Sequence, residues 1–178
     1  MNCGKLINSK ANSNSTIQGL SGIVGFPWTL GVDAAVIPTI YVPMWNEIRT
    51  LYGHNKLPAN DMIPILKNIL PEIFADIALD KFAGQIPIIG VYFNAICAKT
   101  MTWRLGMLFT FLSSRTSDIP INSVGKAMRL VRHIFPQNQM FKFQTPDRNK
   151  FMKLINTNEN LSINEFDKKI DEALKIFN

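Results

Sequence analysis

Apolar positions along this chain gather into two Gly/Pro-punctuated blocks, FPWTLGVDAAVIPTIYVPMW at residues 26–45 and IPIIGVYFNAICAKTMTWRLGMLF at residues 86–109. The second overlaps the longest uncharged apolar run, the seventeen residues 82–98. A membrane-spanning helix takes about 20 apolar residues. Here Lys99 and Arg104 follow at once, and an ionised side chain at mid-bilayer costs roughly 2.5–3.5 kcal/mol. The blocks therefore read either as buried helices of a soluble bundle or as helices that dip into a bilayer.

The polar positions around these blocks predict where helices begin and end. Residues 1–16 are rich in Asn, Ser and Lys and are expected to form a flexible lead-in. Helical periodicity begins near Ile17, where Gly19, Gly22 and Gly25 recur every third residue, as a smooth helical stripe or as a glycine-rich loop. Asp33 precedes Ala-Ala-Val-Ile as an N-cap for a helix towards Tyr52, which Pro38 and Pro43 should kink or restart near residue 43. Gly53 is placed to end it at C′. Asn60 or Asp61 should cap a second helix over residues 61–82, bent at Pro71, with Ile65, Ile69, Phe74, Ile77 and Ala78 on one side and Gly84 closing it. Pro87 and Gly90 then introduce a long apolar helix to about Ser113.

After a linker at residues 116–122, a short helix is expected over residues 123–135, stopped by Pro136. It puts Val124, Ala127, Met128, Val131 and Ile134 on one side and Lys126, Arg129, Arg132 and His133 on the other. A helix near residues 147–156 follows, and a capping box from Ser162 to Glu165 opens a final amphipathic helix to Phe177. No segment alternates as a strand would. The expected fold is all-α, a multi-helix bundle around a central apolar helix. Its parts are the lead-in at 1–16, a helical domain at 17–114, and basic amphipathic helices at 115–178 packed on it.

Charge narrows the partners. The 178 residues suffice for one domain with a full core, and the net charge is +6. The excess is local. Arg115, Lys126, Arg129, Arg132, Lys142, Arg148 and Lys150 face only Asp118 and Asp147 between residues 113 and 150. Such a cluster suits anionic lipid, nucleic acid or an acidic protein. Nucleic acid is not expected, because no reading motif or aromatic stacking platform accompanies the charge. Cys3 and Cys97 make no disulfide framework. The opening residues lack the apolar core of a signal peptide, so a cytoplasmic location, or the cytoplasmic face of the inner membrane, is expected.

Candidate chemistry is sparse. Glu72, Asp76 and Asp80 share a helix face, but no Glu-x-x-His motif supplies partner ligands, and a solvated face is favoured over a metal site. Neither cysteine lies near His54 or His133 in sequence, and no Gly-x-Ser-x-Gly elbow occurs. No enzymatic activity and no cofactor are expected. Lys99 and Arg104 are expected to pair internally with Asp33, or with Asp76 and Asp80, in preference to reaching lipid headgroups. Trp28, Trp45 and Trp103 fit an aromatic belt or ordinary core positions equally.

Pro27, Gly31 and Asp33, the helix end Leu51-Tyr52-Gly53, Ile-Pro-Ile-Ile-Gly with Pro87 and Gly90, and then Asn94-Ala95, Thr102 and Leu105-Gly106 together resemble a known family. It is the bacterial helical domain of unknown function found fused to or beside GTPase domains and in YcjF-type inner-membrane proteins. The tyrosine-glycine helix end is also similar to EcsC-type helical proteins. The likeness covers roughly residues 20–112. Family members space the Pro, Gly and Asp more tightly and lack the two prolines of the following helix. The resemblance implies a membrane-associated helical module near a nucleotide switch. This chain carries no phosphate-binding loop, so if a GTPase is involved, it is expected to be a separate chain.

The expected function is therefore a non-enzymatic, membrane-associated helical domain. It would act with another protein, such as a GTPase or a secretion or defence component, with Lys126, Arg129, Arg132 and His133 as the contact surface. The rival class is a soluble binding module such as an immunity or adaptor protein.

Overall fold

The computed structural model describes residues 3–21, 36–74, 87–114, 121–136, 142–144, 146–147, 149–150 and 168. These form five α-helices, α1 (Cys3–Ser21), α2 (Val42–Leu51), α3 (Ala59–Phe74), α4 (Pro87–Ser113) and α5 (Ile121–Ile134), with a π-helical turn at Ile37–Tyr41 before α2. Among the described residues there is no strand, and the helices pack on one another as an all-α bundle.

The amino-terminal segment departs from expectation. Residues 3–16 are not a flexible lead-in but most of α1, and Leu6, Ile7, Ala11 and Asn14 are buried. Ile7, Ala11 and Asn14 recur at helical spacing on one face. The solvent side carries Ser13 and Thr16, whose hydroxyls donate to the carbonyls of Ser9 (3.1 Å) and Asn12 (3.0 Å). The stripe escapes a sequence reading because one of its core positions is an asparagine and its outer face is nearly all small and polar.

The restart expected near Pro43 is a π-turn. Proline has no N–H and its ring clashes with the carbonyl four residues back. A wider turn relieves that clash, and the Val42 N–H accordingly donates to the Ile37 carbonyl, five residues back. Helix α2 then ends in a Schellman arrangement around Gly53, whose φ is +81°. The N–H of His54 donates to the Arg49 carbonyl (3.0 Å) and that of Gly53 to the Thr50 carbonyl (3.1 Å). The loop beyond is clamped to α2 by Asn46, which donates to the Leu57 carbonyl (3.0 Å) and accepts from the Leu57 N–H (2.8 Å).

Helix α3 starts before Asn60 and Asp61, the expected caps. The Pro58 carbonyl accepts from the N–H groups of Asp61 (3.1 Å) and Met62 (3.4 Å), so Asp61 sits within the first turn. Its buried row is Met62, Leu66, Ile69 and Ile73, while Ile65 is only half-buried. The inward face is thus turned about a residue from the expected one, and the helix continues through Pro71. Ile77, Ala78, Gly84 and the end expected at Phe82 lie outside the described residues.

Helix α4 begins at Pro87, as expected, and is 27 residues long. It is the centre of the bundle, touching α1, α2, α3 and α5, with its most extensive contact to α1. From Met101 to Phe111 every side chain but Trp103 is buried, which is how an apolar helix with no polar face must sit in water. The Trp45 indole stacks on Phe109 with ring centroids 4.7 Å apart and planes 1° from parallel, so Trp45 is a core aromatic. Trp28 lies outside the described residues. Among the described residues, no helix is long and apolar enough to cross a membrane.

Candidate functional site

Helix α5 segregates its residues as the sequence predicts. Val124, Ala127, Met128, Val131 and Ile134 are buried against the body, joined by Leu130. Outside, Arg129 is exposed, and Lys126, Arg132 and His133 are half-buried. The four basic residues lie along one side of a helix that packs on α3 and α4.

Arg129 and Arg132 already share a carboxylate among the described residues. Glu72, on the last turns of α3, lies 3.3 Å from Arg132 Nη1 and 3.9 Å from Arg129 Nε. Arg132 Nη1 also donates to the Glu72 backbone carbonyl (3.2 Å), which ties the carboxyl end of α3 to α5. The side chain of Arg129 remains 46% exposed and that of Arg132 only 20%. Arg129 is thus the more open of the pair, and Arg132 is partly a structural strut. Glu72 therefore faces arginines. Asp76 and Asp80, its companions on the expected acidic stripe, lie outside the described residues. Among the described residues, no three His, Cys, Asp or Glu side chains gather as a metal site.

Beneath this face lies a buried cation. Arg104 on α4 is fully buried. Its Nε donates to the Phe135 carbonyl (3.0 Å) and its Nη1 to the Ile73 carbonyl (2.8 Å). Those carbonyls stand at the carboxyl ends of α5 and α3, where four backbone acceptors per helix lack internal partners and the helix dipole is negative. The guanidinium thus meets the negative ends of two helices. Asp33, Asp76 and Asp80, the acids expected to pair with it, lie outside the described residues. One turn earlier, Lys99 Nζ sits 4.8 Å over the Phe143 ring, and Phe143 meets Phe135 edge-on at 6.0 Å. These contacts bring Lys99 to the carboxyl end of α5.

The motif residues of the resemblance fall into structural roles where they are described. Tyr52 and Gly53 form the end of α2, Pro87 opens α4, and Gly90 and Asn94 lie within it. Gly106 faces Ile7, and a Cβ there would meet Ile7 Cγ1 at 2.5 Å. Pro27, Gly31 and Asp33 lie outside the described residues. Thr102 is buried and belongs to a polar cluster that sequence reasoning missed. Asn14 Nδ2 donates to Tyr41 Oη (2.9 Å) and Thr102 Oγ1 (2.9 Å), and the Thr102 hydroxyl donates in turn to the Ala98 carbonyl (2.8 Å). Asn14 Oδ1 is buried and has no hydrogen-bond partner among the described residues.

His54 and Cys3 are likewise absorbed by the fold. His54 Nε2 lies 2.8 Å from the Ser113 carbonyl, which can only accept, so the imidazole donates there and caps α4. Burial pushes the Cys3 thiol up, partly offset by a hydrogen bond with Thr110. A raised thiol is a poorer nucleophile at neutral pH. Comparisons with protein-family models, with curated proteins and with solved structures find no match.

Proposed function

We propose that this protein is a non-catalytic helical domain that attaches through the basic side of α5 to an anionic membrane surface and works there with a partner protein. The observation that supports it is the segregation on α5. Val124, Ala127, Met128 and Val131 are committed to the bundle, and Lys126, Arg129, Arg132 and His133 line the outer side. Basic side chains near an anionic leaflet contribute about 1 kcal/mol each, within a Debye length of about 10 Å at 0.1 M salt. Since no described helix is long and apolar enough to cross a bilayer, the attachment is proposed as peripheral, on the cytoplasmic face. The family resemblance supports a GTPase as the partner.

The test is co-sedimentation with phosphatidylcholine vesicles, with and without phosphatidylglycerol. Lys126→Glu with Arg129→Glu leaves the Arg132 strut in place. Losing two favourable contacts of this size weakens binding about thirtyfold, most strongly at low salt. Equal binding by wild type and double variant, or no preference of wild type for the anionic vesicles, would overturn the proposal and leave the soluble binding module standing.

A further inference from the structure

We infer that Glu72 is a built-in counter-ion that competes with the anionic surface for the arginines of α5, so that attachment is held below its full strength. The inference rests on the membrane reading above. Glu72 stands 3.3 Å from Arg132 and 3.9 Å from Arg129, where an incoming phosphate oxygen would have to sit. The carboxylate is positioned by the fold, because Arg132 also grips the backbone carbonyl of the same residue at 3.2 Å. A lipid phosphate approaching Arg129 therefore meets a guanidinium that is already partly neutralised, with a fixed negative charge behind it. Arg129 has the exposure to exchange partners, and Arg132 holds the competitor in place.

The size of the effect is bounded. Removing a competing charge this exposed should tighten binding about two- to fivefold, roughly 0.4–1 kcal/mol. Glu72→Gln also raises the net charge, which by itself attracts an anionic vesicle. Glu47→Gln is the matched control. Glu47 lies on α2, paired at 2.8 Å with Lys10 of α1, and its side chain is 40% exposed against 37% for Glu72.

The experiment measures binding to phosphatidylcholine–phosphatidylglycerol vesicles for wild type, Glu72→Gln, Glu47→Gln, Glu72→Asp and Arg129→Gln, each checked for folding by thermal unfolding. Two- to fivefold tighter binding by Glu72→Gln, with Glu47→Gln near wild type, supports the competitor. Glu72→Asp keeps the net charge and withdraws the carboxylate by one methylene, so a smaller gain in the same direction supports it without any change in net charge. Equal gains from Glu72→Gln and Glu47→Gln overturn it, as does wild-type binding by Glu72→Gln. If Arg129→Gln weakens binding while both Glu72 variants match wild type, the membrane reading survives and the competitor falls. If wild type itself shows no preference for anionic vesicles, both fall.

Discussion

Ile7 lies so tightly over Gly106 that a Cβ on residue 106 would stand 2.5 Å from Ile7 Cγ1 and 2.8 Å from both Cδ1 and Cγ2. Three atoms of one β-branched side chain crowd the same point, so a χ1 rotation cannot clear them all. At this contact between α1 and the central helix, residue 106 has to lack a side chain. Gly106→Ala is predicted to destabilise the protein by about 1–3 kcal/mol through overpacking. Ile7→Ala in the same chain should recover part of that loss, a non-additivity that urea unfolding of the double-mutant cycle would measure. Simple additivity would mean the two residues do not meet.

Arg104 joins the carboxyl ends of α3 and α5 through Ile73 and Phe135. Arg104→Met keeps much of the volume and removes both donors, and each charge-assisted hydrogen bond contributes about 1.5–3 kcal/mol. The variant should be destabilised by at least one such bond. Arg104→Lys should recover only part, because an ammonium lacks the planar fork that reaches two carbonyls at once. Wild-type stability of Arg104→Met in guanidinium unfolding would contradict the cap.

Asn14 binds Tyr41 and Thr102 deep in the bundle. Tyr41→Phe should cost about 0.5–1.5 kcal/mol, a typical net hydrogen bond. Combined with Asn14→Ala, the total should fall short of the sum of the two single losses, because both remove the same bond. Thermal unfolding of the three variants decides it, and fully additive losses would argue against the shared bond.

Gly53 adopts φ +81° with open space where a Cβ would point. The penalty for Gly53→Ala is therefore one of backbone conformation and not of packing. It should destabilise by about 1 kcal/mol, with Gly53→Asn less affected because asparagine tolerates the left-handed region. A Gly53→Ala variant as stable as wild type would show that the helix end can rearrange.

What the sequence determined by itself is what short-range chemistry encodes. Gly53 after a helical stripe ends α2, and Pro87 begins α4, because each acts on its own backbone within one turn. The two sides of α5 follow from 3.6-residue spacing alone, and so does the central place of an apolar helix with no polar face. The tertiary structure decided the rest. Helix α1 looks like a polar tail until its core position Asn14 finds Tyr41 and Thr102, 27 and 88 residues away. Arg104 took its place from two helix ends, each 31 residues distant. Glu72 became the counter-ion of α5 across 60 residues. A polar residue's fate in a core depends on which partners arrive to replace water, and those partners are set by how the helices meet, which no local spacing records.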